Sequence, residues 1–194
     1  IKMLKSLSTL PYSIAIPKIE SADECRTFLK DLGTNILILP QIETPRGIAT
    51  VESWDCSNVE FSGIGFGSAD YCASTGGDMG KASLAYGRGK IINAAALYNA
   101  AALDGVWLDF RDPDGCREET KYVKTMGFKG RFAIHPDQIK PIHDAYRPTN
   151  EELEWAKGVL EEAKTAGTGA FKYQGKMVDA PVLAVARQII SRED

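Results

Sequence analysis

Apolar positions along this chain fall into short β-branched runs separated by stretches with helical spacing. Tyr12 to Ile19 is predicted as a strand, and Ser21 then stands as the cap of a stretch in which Cys25, Phe28, Leu29 and Leu32 recur at helical intervals before Gly33. The pattern returns with Asn35 to Glu43 as strand and Pro45 to Cys56 as helix, where Thr44 can serve as N-cap and Pro45 takes the first helical position. Phe61 to Phe66 is predicted as the third strand. A glycine-rich loop through Gly76, Gly77 and Gly80 then leads to an Ala-rich helix from about Gly87 to Leu103. Val106 to Phe110 and Phe132 to His135 are predicted as the fourth and fifth strands, with Asp112-Pro113 opening the helix between them.

Strands alternating with helices at this interval argue for a parallel sheet with right-handed crossovers, either an open doubly wound sheet or a (β/α)8 barrel. The polar residues favour the barrel. Glu20, Glu43, Asp70, Asp109 and His135 all fall at or just beyond predicted strand C-termini, the face on which barrels gather their chemistry. A complete barrel takes eight strands and ~250 residues. Five strands are predicted in these 194 residues.

Beyond residue 147 the pattern changes. Thr149-Asn150-Glu151-Glu152 is a capping box, and Leu153, Ala156, Val159, Leu160 and Ala163 form the stripe of an amphipathic helix that Gly167 to Gly169 should end. Phe171 to Val178, turning at Gln174-Gly175, is predicted as a short hairpin, and Asp179-Ala180-Pro181 opens a last helix. The expected division is therefore a partial barrel over 1–147 and an appended extension over 148–194.

Composition narrows the partners. Lys plus Arg total 23 against 26 Asp plus Glu, which gives no broad attraction for nucleic acid or an anionic membrane and points to a small-molecule partner. Cys25, Cys56, Cys72 and Cys116 are scattered without a Cys-x-x-Cys pair, so neither a zinc site nor a secreted disulfide framework is indicated, and a cytoplasmic location or the mitochondrial matrix is expected. No apolar run approaches the ~20 residues that span a bilayer. The start, Ile1-Lys2-Met3-Leu4, has neither an initiator methionine nor a signal-peptide layout, so an upstream segment is expected to have been removed.

The candidate chemistry lies in two acids. Glu43 and Asp70 follow consecutive β-runs and would face one mouth of the sheet, where two carboxylates repel by roughly 1 kcal/mol at ~4 Å even in water and by more when partly buried. Thr44 is placed to cap the following helix, which leaves Glu43 without a structural task. Mg²⁺ would relieve the repulsion and keep positions open for water and a substrate oxygen. The plain alternative is a pair of solvated strand-end acids. Asp179 before Ala-Pro is explained by helix capping alone. His135 and His143 fit packing roles, and Asp109 and Arg111 could pair with each other across a strand end. Gly63-x-Gly65-x-Gly67 lies inside a strand and lacks the dinucleotide-binding register.

Six blocks, in order, resemble the citrate lyase β-subunit-like family, which includes malyl-CoA, β-methylmalyl-CoA and citramalyl-CoA lyases. They are Pro17 to Ser21, Pro40 to Thr44, Gly67 to Tyr71, Asp104 to Asp112, Ile134 to Ile139 and Gly175 to Pro181. The resemblance covers nearly the whole chain. It implies a TIM-like (β/α)8 barrel of which this chain carries about the last five βα units. It further implies Mg²⁺ held at Glu43 and Asp70, a substrate carboxylate met by backbone amides around Gly67, Ser68 and Ala69, and Asp179 as acid/base reaching a neighbouring subunit, in a homo-oligomer expected to be a trimer. The implied partners are an acyl-CoA thioester and a 2-oxo acid, joined or cleaved by retro-Claisen chemistry. The family's first three strands, with a substrate-contacting arginine on the third, have no counterpart here, and the chain by itself is expected to have little lyase activity.

Two other readings stay open. One is a thioesterase or glyoxylate-condensing relative that uses the same site. The other, from a different class, is a non-catalytic scaffold or binding subunit.

Overall fold

The computed structural model describes residues 1–166 and 169–193. Gly167 and Thr168, expected to end a helix, lie outside the described residues. The chain divides into two compact units, Ile1–Tyr146 and Arg147–Asp194.

The first unit runs α1 (Lys2–Lys5), β1 (Ser13–Ile16), α2 (Ala22–Leu32), β2 (Leu37–Ile42), α3 (Pro45–Thr50) with a 3-10 turn at Val51–Ser53, β3 (Ile64–Phe66), α4 (Ser68–Thr75), α5 (Lys81–Leu97), β4 (Ala102–Asp104), α6 (Pro113–Met126), β5 (Gly130–Arg131), a 3-10 turn at Pro136–Gln138, and α7 (Ile139–Tyr146). Among the described residues these strands form one five-stranded sheet in the order β1-β2-β3-β4-β5, every neighbouring pair parallel. A doubly wound sheet reverses its order at a switch point, whereas a barrel adds each new strand on the same side. The order here never reverses, so the sheet is an arc of the TIM type.

The central strands β2, β3 and β4 carry the buried residues of the sheet. Ile38 and Ile42 of β2 and Ile64 and Phe66 of β3 are fully buried in a core completed by Leu84, Ile91 and Ala94 of α5. The opposite face explains the alternating glycines. Gln41 pairs with Gly65 and Ile42 with Phe66, so the register sets the β2 row Leu39, Gln41, Glu43 beside Gly63, Gly65, Gly67. A Cβ on Gly63 would lie 3.2 Å from Leu39 Cδ1 and one on Gly65 2.6 Å from the Gln41 amide, while one on Gly67 would collide with Glu43 itself. The glycine series makes room for the inward side chains of β2.

Three boundaries depart from expectation. The fourth strand is Ala102–Asp104, not Val106 to Phe110, which forms the loop after it. The fifth is Gly130–Arg131, not Phe132 to His135. The helix expected from Gly87 to Leu103 is α5, Lys81–Leu97, preceded by α4, for which no helix was expected. In each case a charged residue that looked like the edge of an element is buried within it: Arg88 in α5, Asp104 in β4, Arg131 in β5.

The second unit contains α8 (Asn150–Ala166), the antiparallel hairpin β6 (Phe171–Tyr173) and β7 (Lys176–Val178), and α9 (Ala180–Ile190). The capping box is formed: Glu152 N donates to Thr149 Oγ1 at 3.1 Å and Thr149 N to Glu152 Oε2 at 2.8 Å. Gln174 and Gly175 turn the hairpin with positive φ of 46° and 80°, the pair of values that two-residue hairpins need. Ala156, Val159, Val178 and Ala186 are buried in this unit's own core.

Candidate active site

Glu43 leaves β2 just before α3. Thr44 caps that helix, accepting from Gly47 N at 3.0 Å, and also donates to Glu20 Oε1 at 2.6 Å, so Glu43 carries no capping duty. Its side chain is buried, with the residue only 8% exposed, and Oε1 accepts the Lys18 amide at 3.0 Å. Burial pushes its carboxyl above the ordinary range, the charge of Asp70 adds to the rise, and the amide and charge of Lys18 oppose it. That combination, a desolvated carboxylate facing a second one, is the electrostatic setting a cation relieves.

Asp70 stands in the first turn of α4, where the helix dipole favours a negative charge. It is half exposed and lies 3.5 Å from Lys18 Nζ. Lys18 therefore touches both acids, one through its backbone and one through its side chain. Sequence reasoning assigned it no role, because Lys18 falls inside the predicted strand Tyr12 to Ile19, whereas the observed strand ends at Ile16. Gly67 N is engaged by Ile42 O at 3.0 Å. The amides of Ser68 and Ala69 begin α4 with the orphan donors every helix N-terminus presents. Ser68 is buried against the next strand's loop, where Gly105 has no Cβ to collide with its hydroxyl.

The loops after β4 and β5 hold the other candidates. Asp109, expected at a strand end, is exposed in the loop, and its Oδ1 accepts Arg111 N at 3.0 Å. The Arg111 guanidinium lies over the Phe110 ring at 5.4 Å in place of an ion pair with Asp109. His135 caps the 3-10 turn, its Nδ1 accepting Asp137 N at 3.2 Å, and stacks on Phe110 with centroids 4.8 Å apart. His143 is exposed on α7. Asp179 in the second unit is the N-cap of α9, Oδ1 accepting Val182 N at 3.4 Å, and stays partly exposed.

The strand-end acid that the sequence reading missed is Asp104. It is fully buried at the end of β4 and takes Arg88 Nε and Nη2 at 3.1 Å each and Arg131 Nη2 at 3.0 Å. Arg88 Nη2 also meets Glu119 at 2.8 Å. Burial works against the Arg88 charge, yet Asp104 and Glu119 outweigh it and hold the guanidinium above its usual range. Local pattern could not show this, because the partners come from α5, β4, α6 and β5.

Among the described residues no cluster of three or more His, Cys, Asp or Glu side chains is arranged around a metal position. Glu43 and Asp70 nevertheless fit Mg²⁺, which takes one or two carboxylates and keeps several waters. The fit rests on the donor set, on the raised Glu43 carboxyl, and on the space that Gly67 leaves in front of it.

Residues 1–136 match the family model described as HpcH/HpaI aldolase/citrate lyase. This chain belongs to that family. Residues 89–194 match a second model, a C–C bond lyase of the TIM-barrel fold. Among curated relatives, the mitochondrial citramalyl-CoA lyase of Mus musculus is 29% identical over 94% of this chain, and the chain spans 60% of that relative's length. A citrate lyase subunit beta-like protein of Mycobacterium tuberculosis is 33% identical over 97% of this chain and 70% of its own. Among solved structures, M. tuberculosis CitE in complex with magnesium, acetoacetate and coenzyme A superposes with a TM-score of 0.78 at 31% identity, covering 94% of this chain and 68% of that one. Among the described residues no helix is long and apolar enough to cross a membrane.

Proposed function

We propose that this chain belongs to a Mg²⁺-dependent carbon–carbon lyase acting on 3-hydroxyacyl-CoA thioesters that carry a second carboxylate, with malyl-CoA or citramalyl-CoA as the representative substrate. One observation carries the reading. Glu43 is buried at the C-terminal mouth of a parallel sheet with no helix to cap, and its carboxyl is raised first by that burial and then by the charge of Asp70. Its relatives' magnesium and coenzyme A complexes support the same assignment.

Glu43 and Asp70 would hold the ion, whose chemistry when bound is to polarise the carbonyl of a 2-oxo acid. The Ser68 and Ala69 amides would orient the acid's carboxylate by the donors and dipole at the start of α4. Lys18 pairs through its ammonium with Asp70 and holds the Glu43 carboxyl at Oε1 through its backbone amide. Asp179 would act as the acid/base, taking the proton that the 3-hydroxyl loses as the C–C bond breaks and passing it to the thioester α-carbon that receives the bond's electron pair, with the reverse transfer in the condensation direction. We propose that it does so for a neighbouring copy, in a closed ring of three.

An assay of Mg²⁺-dependent acetyl-CoA release from malyl-CoA or citramalyl-CoA tests this. Asp179→Asn keeps an acceptor at the helix cap and so leaves the fold intact, and it should lower kcat by about 10²–10⁴-fold. Unchanged turnover in that variant would remove Asp179 from the chemistry.

A further inference from the structure

Lys18 follows β1 in a conformation that a lysine rarely adopts. β1 ends at Ile16, and after Pro17 the Lys18 backbone turns left-handed, with a φ of 55°. One residue later the chain is back on the sheet, where Ile19 N donates to Gln41 O at 3.2 Å and the Ile19 side chain is buried. A proline followed by a residue of positive φ is the layout of a type II turn, whose second central position suits glycine or asparagine. Glycine would take it without strain. The backbone alone therefore gives no reason for a lysine.

The reason lies in what the turn aims at. It points the Lys18 amide at Glu43 Oε1, 3.0 Å away, and brings the Lys18 ammonium to 3.5 Å from Asp70 Oδ1. One residue thus engages one oxygen of each acid. Glu43 Oε2 lies instead over Gly67, the N-cap of α4, where an added Cβ would strike it. Asp70 belongs to the first turn of that helix, so Oε2 is turned toward the element that carries the second acid. The two Glu43 oxygens do not exchange freely, because the residue is buried and turning it would leave the Lys18 amide without its acceptor.

A cation shared by the acids is therefore offered one oxygen from each. That suits Mg²⁺, which takes one or two carboxylates and completes an octahedron with water. It suits Ca²⁺ poorly, since that ion gathers roughly six to eight oxygens and often takes a carboxylate through both of its own.

We infer that Lys18 sets the ion specificity of this site: it withholds one oxygen of each carboxylate, so that both bind through a single atom and Mg²⁺ is preferred to Ca²⁺. The inference rests on the Mg²⁺ reading above. Lys18 is a positioning residue, with no part in proton transfer. Its two contacts differ in strength. The amide is fixed by the turn against a buried carboxylate, whereas the ammonium pair is exposed, at 65% and 54% of the two side chains, and contributes less.

The readout is the ratio of the Ca²⁺ to the Mg²⁺ dissociation constant, from calorimetric titration of the 194-residue chain with each ion alone. Removing a positive charge tightens two divalent ions alike and leaves the ratio in place, so a fall in the ratio reports a released oxygen. Lys18→Gly suits the backbone and keeps the amide, and it should lower the ratio about threefold, with Lys18→Arg restoring it. Replacing Lys18 by its α-hydroxy analogue puts an ester oxygen where the N–H stands and should lower the ratio about tenfold. Circular dichroism confirms the fold of each. A ratio unchanged in both Lys18→Gly and the ester would overturn the inference and leave the Mg²⁺ site standing. So would a wild type that binds Ca²⁺ as tightly as Mg²⁺. A wild type that binds no Mg²⁺ would remove the site and the inference together.

Discussion

Gly67 shows how narrowly a single residue conditions the site. The β2–β3 register puts it beside Glu43, and any Cβ there collides with the Glu43 side chain near its root, where no rotamer can relieve it. Gly67→Ala should therefore displace the carboxylate, lower stability by about 1–3 kcal/mol in urea unfolding, and abolish Mg²⁺ binding. Gly89→Ala is the internal control. Gly89 is exposed in α5 with nothing within 4 Å of an added Cβ, so the same change there should raise stability by roughly 0.5–1 kcal/mol. Glu43 has its own signature in pH. Its folded carboxyl titrates above the ordinary value of 4.5, so the folded protein holds more protons than the unfolded chain, and stability falls as pH rises from 4.5 through the raised value. Glu43→Gln keeps an acceptor for the Lys18 amide and removes that slope, and a series of thermal melts across this pH range should show a flatter profile than wild type. Glu43, Asp70 and the Asp179 cap were legible in the sequence because each sits beside a local marker, a strand end or a proline. Lys18 and Arg88 were not, since their significance comes only from residues far along the chain.

Elements were legible where local chemistry fixes them and illegible where tertiary pairing does. The Thr149–Glu152 capping box, the hairpin turn at Gln174-Gly175 and the Asp112-Pro113 helix start all lie where the sequence places them, because cap, turn and proline act within four residues. β4 was displaced because Val-Trp-Leu-Asp-Phe looks like a strand, whereas the actual strand ends in an aspartate that only Arg88 and Arg131 make tolerable. That network joins three elements around one carboxylate. Asp104→Ala should cost about 3–5 kcal/mol in denaturant unfolding, because it leaves two buried guanidinium groups without their shared partner. A loss below ~1 kcal/mol would mean that solvent reaches the network. The alternating glycines of β3 teach the same lesson from the other side. Their position inside a strand and their register argue against dinucleotide binding, and their role is to receive the side chains of the strand beside them.

At the scale of the molecule, the alternation of strands and helices was enough to predict a parallel α/β sheet, and the uninterrupted strand order decides between its two forms. The second unit has its own core and carries Asp179, while the first carries Glu43 and Asp70. If a site draws on two copies, chains bearing Glu43→Gln and chains bearing Asp179→Asn, each inactive by itself, should regain part of the activity when co-assembled. No recovery is expected if each chain completes its own site. Everything in the proposed chemistry depends on one ion shared by the two acids. Calorimetric titration of Mg²⁺ in the presence of pyruvate measures this directly: wild type should bind one ion per chain, and Glu43→Gln and Asp70→Asn should each abolish the binding. Binding of equal strength in both variants, or none in wild type, would contradict it.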